Sequence, residues 1–141
     1  MVLVDSSVWI EAGRRNGQLE YKVGLENLLD AYEAFWCGPV KLEVLGGARI
    51  QERKLLAQYF SIIPYKPIDD SAWEFAKECY QKLRDKGHTL PFNDVLIGSL
   101  SVKWICRVYA KDEHFEVMRD TIGVRLYKPG YGGKYEGDVG G

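Results

Sequence analysis

Short apolar runs alternate with longer amphipathic stretches along this chain. Residues 2–4 are all apolar, which is typical of a buried strand, and similar short runs predict strands at residues 34–37, 62–63, 107–109 and 124–127. Between them, apolar side chains recur at helical spacing, for example over residues 19–32. This alternation predicts an α/β domain with a mainly parallel central sheet of about five short strands, flanked by helices.

The helices have recognisable starts and ends. Ser6 or Ser7 is expected to cap a short helix after the first strand, and Asp69 a long helix that ends near Gly87. Pro39 is expected in the first turn of another helix. Residues 95–102 are apolar nearly all round, so the helix beginning at Asn93 or Asp94 is predicted to be buried.

Composition supports one globular domain. The chain has 141 residues, of which 46% are hydrophobic, enough for one core. We assign residues 1–128 to this domain. The remaining stretch, 129–141, contains six glycines in thirteen positions and is predicted to be a flexible tail, or one foreign to the natural protein.

Charge and cysteines restrict the class of protein further. A net charge of −1 gives no strong field toward nucleic acid or membranes, so a polyanion would have to be held by local groups or by a metal. The three cysteines lack metal-binding spacing, and no apolar run approaches the length of a membrane span. We therefore expect a cytoplasmic protein without a membrane segment.

Four acidic residues stand where a functional crevice is expected. Asp5 follows the first strand, and Asp112 follows the strand at residues 107–109, at the carboxyl ends where open α/β sheets place their sites. Asp94 stands at the mouth of the apolar helix, and Glu43 has apolar neighbours after Pro39. Three of them have a simpler interpretation: Asp5 or Asp94 as a helix cap, Glu43 as a surface residue.

Carboxylates gathered in one crevice need a cation, because their mutual repulsion would otherwise raise their pKa values. Oxygen ligands suit Mg²⁺ or Mn²⁺, which also coordinate phosphate and activate water. The acidic set therefore predicts metal-assisted phosphodiester hydrolysis.

Four segments carry a family resemblance that covers residues 2–127. In order they are VLVDSSVWIE, KLEVLGGAR, HTLPFNDVLIGSLSV and VYAKDEHFEVM. Together they resemble the four acidic motifs of PIN-domain ribonucleases, most closely the VapC toxins of toxin–antitoxin pairs. The resemblance implies a PIN-like three-layer fold and a metal-dependent endoribonuclease that cuts RNA with one or two Mg²⁺ or Mn²⁺ ions. It also implies a homodimer and a VapB-like antitoxin partner.

The resemblance carries over to individual positions. It implies that Asp5, Glu43, Asp94 and Asp112 are the catalytic metal ligands, and that Ser7 supports the first of them. Supporting roles are also expected for the residues beside the other acids, namely Asn93, Lys111 and Glu113. The chain departs from the family at Ala110, where a hydroxyl residue is usual.

Other interpretations remain open from the residues alone. His114 is either a general base or a structural residue. A phosphoacceptor signalling domain would need an acidic pair after its first strand, where this chain has Asp5 followed by Ser6. A catalytically silent PIN-like scaffold that binds RNA or protein is the main alternative, for which the missing hydroxyl at Ala110 is the hint.

Overall fold

The centre of the fold is a parallel sheet, seen in a computed structural model that describes residues 1–138. Its strands are β1 (Val2–Val4), β2 (Ala34–Phe35) and β3 (Arg107–Tyr109), in the order β2-β1-β3. Val2 pairs with Ala34 on one side and Arg107 on the other. All of β1 is buried, because a parallel sheet is covered on both faces.

The described residues therefore contain three strands rather than about five. The apolar run at 62–63 lies in a turn, and a single parallel bridge joins Trp36 to Tyr65. Pro64 lies between this run and Tyr65, and it has no backbone N–H to donate to a neighbouring strand. At the other edge, Leu126 forms one bridge with Val108 in place of a strand at 124–127. Both predicted edge strands are thus reduced to single bridges.

Helices flank the sheet and alternate with its strands. The α-helices are α1 (Ser6–Gly13), α2 (Leu19–Asp30), α3 (Gly38–Val40), α4 (Arg53–Phe60), α5 (Asp70–Asp85), α6 (Phe92–Lys103) and α7 (His114–Ile122). A π-helix (Lys41–Leu45) follows α3 directly, and 3₁₀ turns occupy Ile50–Glu52 and Tyr131–Gly133. No helix within residues 1–138 is both long and apolar enough to cross a membrane.

Two helix starts differ from the predicted ones. The N-cap of α1 is Asp5, not Ser6 or Ser7, because the Asp5 carboxylate accepts the Ser7 N–H at 3.0 Å. The apolar helix α6 begins at Phe92, one residue before the predicted start, so Asp94 lies in its first turn rather than at its cap. As predicted, α6 is buried, with every residue from Val95 to Ser101 inaccessible.

The Gly-rich segment after the domain lies against α2 and β3. The Asn27 side chain donates to the Gly133 carbonyl at 3.0 Å, and Arg107 donates to the Glu136 carbonyl at 2.9 Å. At Gly133 φ is +81°, and a Cβ there would lie 2.6 Å from a methyl group of Val23. The boundary at 128 remains a prediction, and residues 139–141 of the predicted tail lie outside the described residues.

Candidate metal centre

Asp5 is buried at the carboxyl end of the central strand. Only 3% of its surface is exposed, and its backbone N–H donates to the Tyr109 carbonyl at 2.9 Å, which fixes the residue between β1 and β3. One carboxylate oxygen accepts bonds from both the N–H and the hydroxyl of Ser7. A carboxylate offers about four acceptor positions, so this bonding leaves capacity for a further group.

Asp94 and Asp112 meet at one histidine nitrogen. The Nδ1 atom of His114 lies 2.7 Å from Asp94 Oδ2 and 2.9 Å from Asp112 Oδ1. One ligand atom from each of the three residues falls within 4.8 Å of the others. The first turn of α6 and the loop that leads into α7 thus bring two predicted acids together, and His114 at the start of α7 lies with them.

Glu43 is the most exposed of the four predicted acids. It lies on the π-helix, and its Oε1 accepts from the Asn93 side chain at 3.0 Å. Because Asn93 adjoins Asp94, this bond places the Glu43 carboxylate at the edge of the Asp94 cluster. The predicted supporting residue Asn93 is therefore in contact with a predicted ligand.

Ser7 and Lys111 join the first acid to the fourth. Ser7 donates its hydroxyl to Asp5 and accepts the Lys111 backbone N–H at 3.0 Å. The Lys111 side chain pairs with Glu11 Oε2 at 3.1 Å, and Glu11 also accepts the Gln18 N–H at 2.9 Å. This network fixes the loop that carries Asp112 to helix α1.

The pKa directions reflect crowded negative charge. Burial raises the pKa of Asp5 to about 6, with contributions from the charges of Asp94 and Glu43. Burial also raises the pKa of Asp94, and Asp112 adds to the effect. The hydrogen bond to Asp94 raises the pKa of His114. Glu11 is the opposite case, because the Gln18 and Lys111 bonds lower its pKa.

These residues fit a divalent cation. Asp5 is buried at a position where like charges oppose its ionisation, and its carboxylate retains acceptor capacity. The Asp94, Asp112 and His114 group offers two oxygens and one nitrogen within reach of one ion. Carboxylate oxygens are the usual ligands of Mg²⁺ and Mn²⁺, while a nitrogen ligand is better tolerated by Mn²⁺.

The four acids remain predicted ligands, and two of their neighbours make contacts that the sequence analysis does not predict. His114, expected to be a general base or a structural residue, contacts both Asp94 and Asp112. Glu11 lies four residues after Ser7 and hence on the same side of α1. That spacing is the signal that would have identified it. Glu113, the predicted auxiliary residue, is exposed and its role remains a prediction.

Comparison with known proteins finds ribonucleases that are similar to this chain. No model of a known protein family matches the chain. Ribonuclease VapC11 of Mycobacterium tuberculosis is 29% identical over 123 residues, which cover 84% of this chain and 91% of that protein. A VapC ribonuclease of Mycobacterium bovis matches over the same length with the same identity. The chain is similar to the VapC ribonucleases over most of its length.

Solved VapC structures share its fold. The VapBC2 complex of Rickettsia felis, bound to a promoter DNA fragment, superposes with a TM-score of 0.74 at 16% identity, covering 90% of this chain and 98% of that one. VapC20 of M. tuberculosis, a toxin that cleaves the sarcin–ricin loop, gives 0.64 at 17% identity, covering 89% and 99%. The predicted PIN-like α/β fold is confirmed.

Proposed function

We infer that this VapC relative is a metal-dependent endoribonuclease and the toxin of a toxin–antitoxin pair, acting in the cytoplasm. The observation that carries the proposal is the joined set of acids. Asp5 is linked through Ser7 to the Asp112 loop, Asp112 reaches Asp94 through His114, and Asn93 links Glu43 to the set. The names of its curated relatives supply the substrate class, RNA.

Each acid has a proposed task in holding the cation. Asp5, Asp94 and Asp112 would hold Mg²⁺ or Mn²⁺, with Glu43 at the exposed side of the site. The bound ion supplies charge neutralisation at the phosphodiester and lowers the pKa of a water molecule. His114 contacts two of these carboxylates. Its nitrogen would either coordinate the ion or give up these contacts so that the carboxylate oxygens can bind the ion. Ser7 and Lys111 keep Asp5 and Asp112 in register.

The partners of the proposed toxin are an antitoxin and a second copy of the chain. Several structural neighbours are VapBC or other toxin–antitoxin complexes, among them one from Klebsiella pneumoniae that superposes with a TM-score of 0.67 at 19% identity over 91% of this chain and 99% of that one. A VapB-like antitoxin is therefore the proposed inhibitor. A homodimer remains a prediction carried by the family resemblance.

The deciding experiment measures cleavage of a mixed RNA panel with Mg²⁺, Mn²⁺ or EDTA. We compare the wild type with Asp5→Asn and Asp94→Asn. Loss of a ligand should lower the cleavage rate by more than about 100-fold, beyond the usual effect of an outer-shell partner. Calorimetric titration of Mn²⁺ gives a second readout, because both variants should bind the ion more weakly.

Asp30→Asn is the matched control. Asp30 is exposed at the end of α2, next to the segment that leads into β2, and therefore at the opposite end of the sheet from Asp5. This variant should cleave RNA like the wild type. If Asp5→Asn and Asp94→Asn cleave RNA at the wild-type rate, the cleavage does not come from the candidate metal centre. If RNA binds but no metal-dependent cleavage occurs, the chain is the silent scaffold.

A further inference from the structure

A cavity in the described part of the chain lies beside the acids rather than over them. It measures about 760 Å³ and is bounded by the start of α2, the end of β3 and the Gly-rich segment at residues 128–133. Lys111, Asp112 and Glu113 form the side nearest the candidate metal centre. The cavity is therefore continuous with the site at Asp112. Its volume lies within the range of about 300–1,000 Å³ typical of small-ligand pockets.

Three tyrosines line this cavity. Tyr21 and Tyr109 are stacked, with ring centroids 5.9 Å apart and planes inclined by 28°. Tyr127 lies against Tyr109 with centroids 5.1 Å apart. Tyr109 and Tyr127 are buried, while Tyr21 is half-buried, so that the tyrosine-lined surface of the cavity is accessible at Tyr21. Such surfaces bind flat heteroaromatic groups, including the unstacked bases of single-stranded RNA.

The charges on the rim select the part of an RNA that enters. Carboxylates of Glu20, Asp112, Glu113 and Glu116 line the cavity, against the two cations Lys111 and Lys128. This excess of negative charge repels a phosphate. Carboxylate oxygens instead accept hydrogen bonds from the amino groups of bases, as they do from the cytosine amino group in base recognition. A base that carries an amino group is favoured over uracil.

We propose that this cavity binds an amino-bearing nucleobase of the RNA substrate, next to the phosphodiester presented to the acids. The Gly-rich segment is then part of the substrate site, because Gly132 and Gly133 form its outer wall. The inference rests on the proposed ribonuclease function. It adds a base preference that the metal centre itself would not impose.

The test measures binding of labelled oligo(A), oligo(C) and oligo(U) RNA by fluorescence anisotropy in EDTA, where no cleavage is expected. The wild type should bind oligo(A) or oligo(C) about tenfold more tightly than oligo(U), since one stacked and hydrogen-bonded base contributes an effect of this size. Tyr21→Ala should remove this preference, and Tyr21→Phe should retain it. Glu116→Gln, a change at an exposed position that should not affect folding, should reduce the preference for amino bases.

Tyr32→Ala is the control, because Tyr32 is 88% exposed after α2 and is not part of the cavity. Equal wild-type affinity for all three RNAs, or no measurable binding, would overturn the proposal. A preference that survives both Tyr21→Ala and Glu116→Gln would also overturn the proposal. The acidic rim would in that case be a binding site for a basic peptide instead of a base. Cleavage in Mn²⁺ is measured in parallel. Cleavage without base preference rejects only the cavity proposal, whereas base preference without cleavage rejects the proposed nuclease.

Discussion

Asp5 and Glu43 carry the same charge at the same candidate site, but the fold holds them in opposite ways. Asp5 is buried at the end of the central strand, and its backbone is bonded to β3. Glu43 is exposed on a π-helix and has one side-chain bond, to Asn93. A buried, backbone-fixed acid costs stability and gives precise placement. An exposed acid costs little and is placed by a single hydrogen bond.

The sharpest test of this difference is the stability of Asp5→Asn. The folded pKa of Asp5 is about 6, above its ordinary value near 3.8, so ionisation destabilises the folded protein. Asparagine keeps an acceptor for Ser7 without the charge. In EDTA at pH 7.5, the free energy of unfolding should rise by about 3 kcal/mol. Urea titration measures it.

The stability advantage of Asp5→Asn over the wild type should increase with pH. Well below pH 3.8 the Asp5 carboxyl is protonated in both states, so the advantage of the variant should vanish there. It should appear as pH rises toward 6 and be complete above that value. An advantage that stays constant from pH 4 to pH 7.5 would mean that charge is not its cause.

Metal should remove most of the stability difference between the two proteins. A cation that binds only the folded state adds about 2.7 kcal/mol at a concentration 100 times its dissociation constant. Excess Mn²⁺ should therefore raise the melting temperature of the wild type much more than that of Asp5→Asn. Mg²⁺ serves as the second ion, and equal shifts in both proteins would place metal binding away from Asp5.

Glu11 tests whether the buried side of the site needs support from α1. Glu11→Ala removes the partner of Lys111 and leaves the Gln18 N–H without its acceptor, which should lower the stability. RNA cleavage should fall about tenfold, because the loop that carries Asp112 loses the Lys111–Glu11 ion pair that holds it to α1. Glu11→Gln keeps an acceptor for Gln18, so it should recover the stability more than the activity. Unchanged cleavage in Glu11→Ala would contradict a positioning role.

The smallest stability effect is expected for Glu43→Gln. Because Glu43 is exposed, the free energy of unfolding should change by less than about 0.5 kcal/mol. RNA cleavage should nevertheless fall, since the change removes a proposed ligand charge. Thermal melts and cleavage rates from the same preparation compare the two effects. A large loss of stability would show that Glu43 is held like Asp5.

Much of the fold follows from local patterns in the sequence. The strand at residues 2–4, the buried helix α6 and the long helix α5 are all readable from apolar spacing and caps. The two edge strands were overpredicted, because strand pairing depends on neighbours as well as on apolar runs. Pro64 interrupts the strand predicted at residues 62–63. The strand predicted at residues 124–127 pairs with Val108 through a single bridge.

The site was only partly readable. The four acids follow from strand ends and motif order, which are local features. Their joining residues are not local: His114 lies 20 positions after Asp94, and Lys111 lies 100 positions after Glu11. No periodicity links such pairs in one sequence. The cavity beside Asp112 likewise needs the Gly-rich segment to fold back onto α2.

The sequence by itself determined which residues are apolar enough to form the sheet and helices, and which acids end those elements. Those are properties of residue type and spacing over a few positions. Only the tertiary structure decided that Asp5 caps the helix that follows it, that His114 joins two acids, and that Gly133 lines a cavity together with three tyrosines. The physical reason is distance: hydrogen bonds and stacking act over a few ångströms, and folding alone brings remote residues that close.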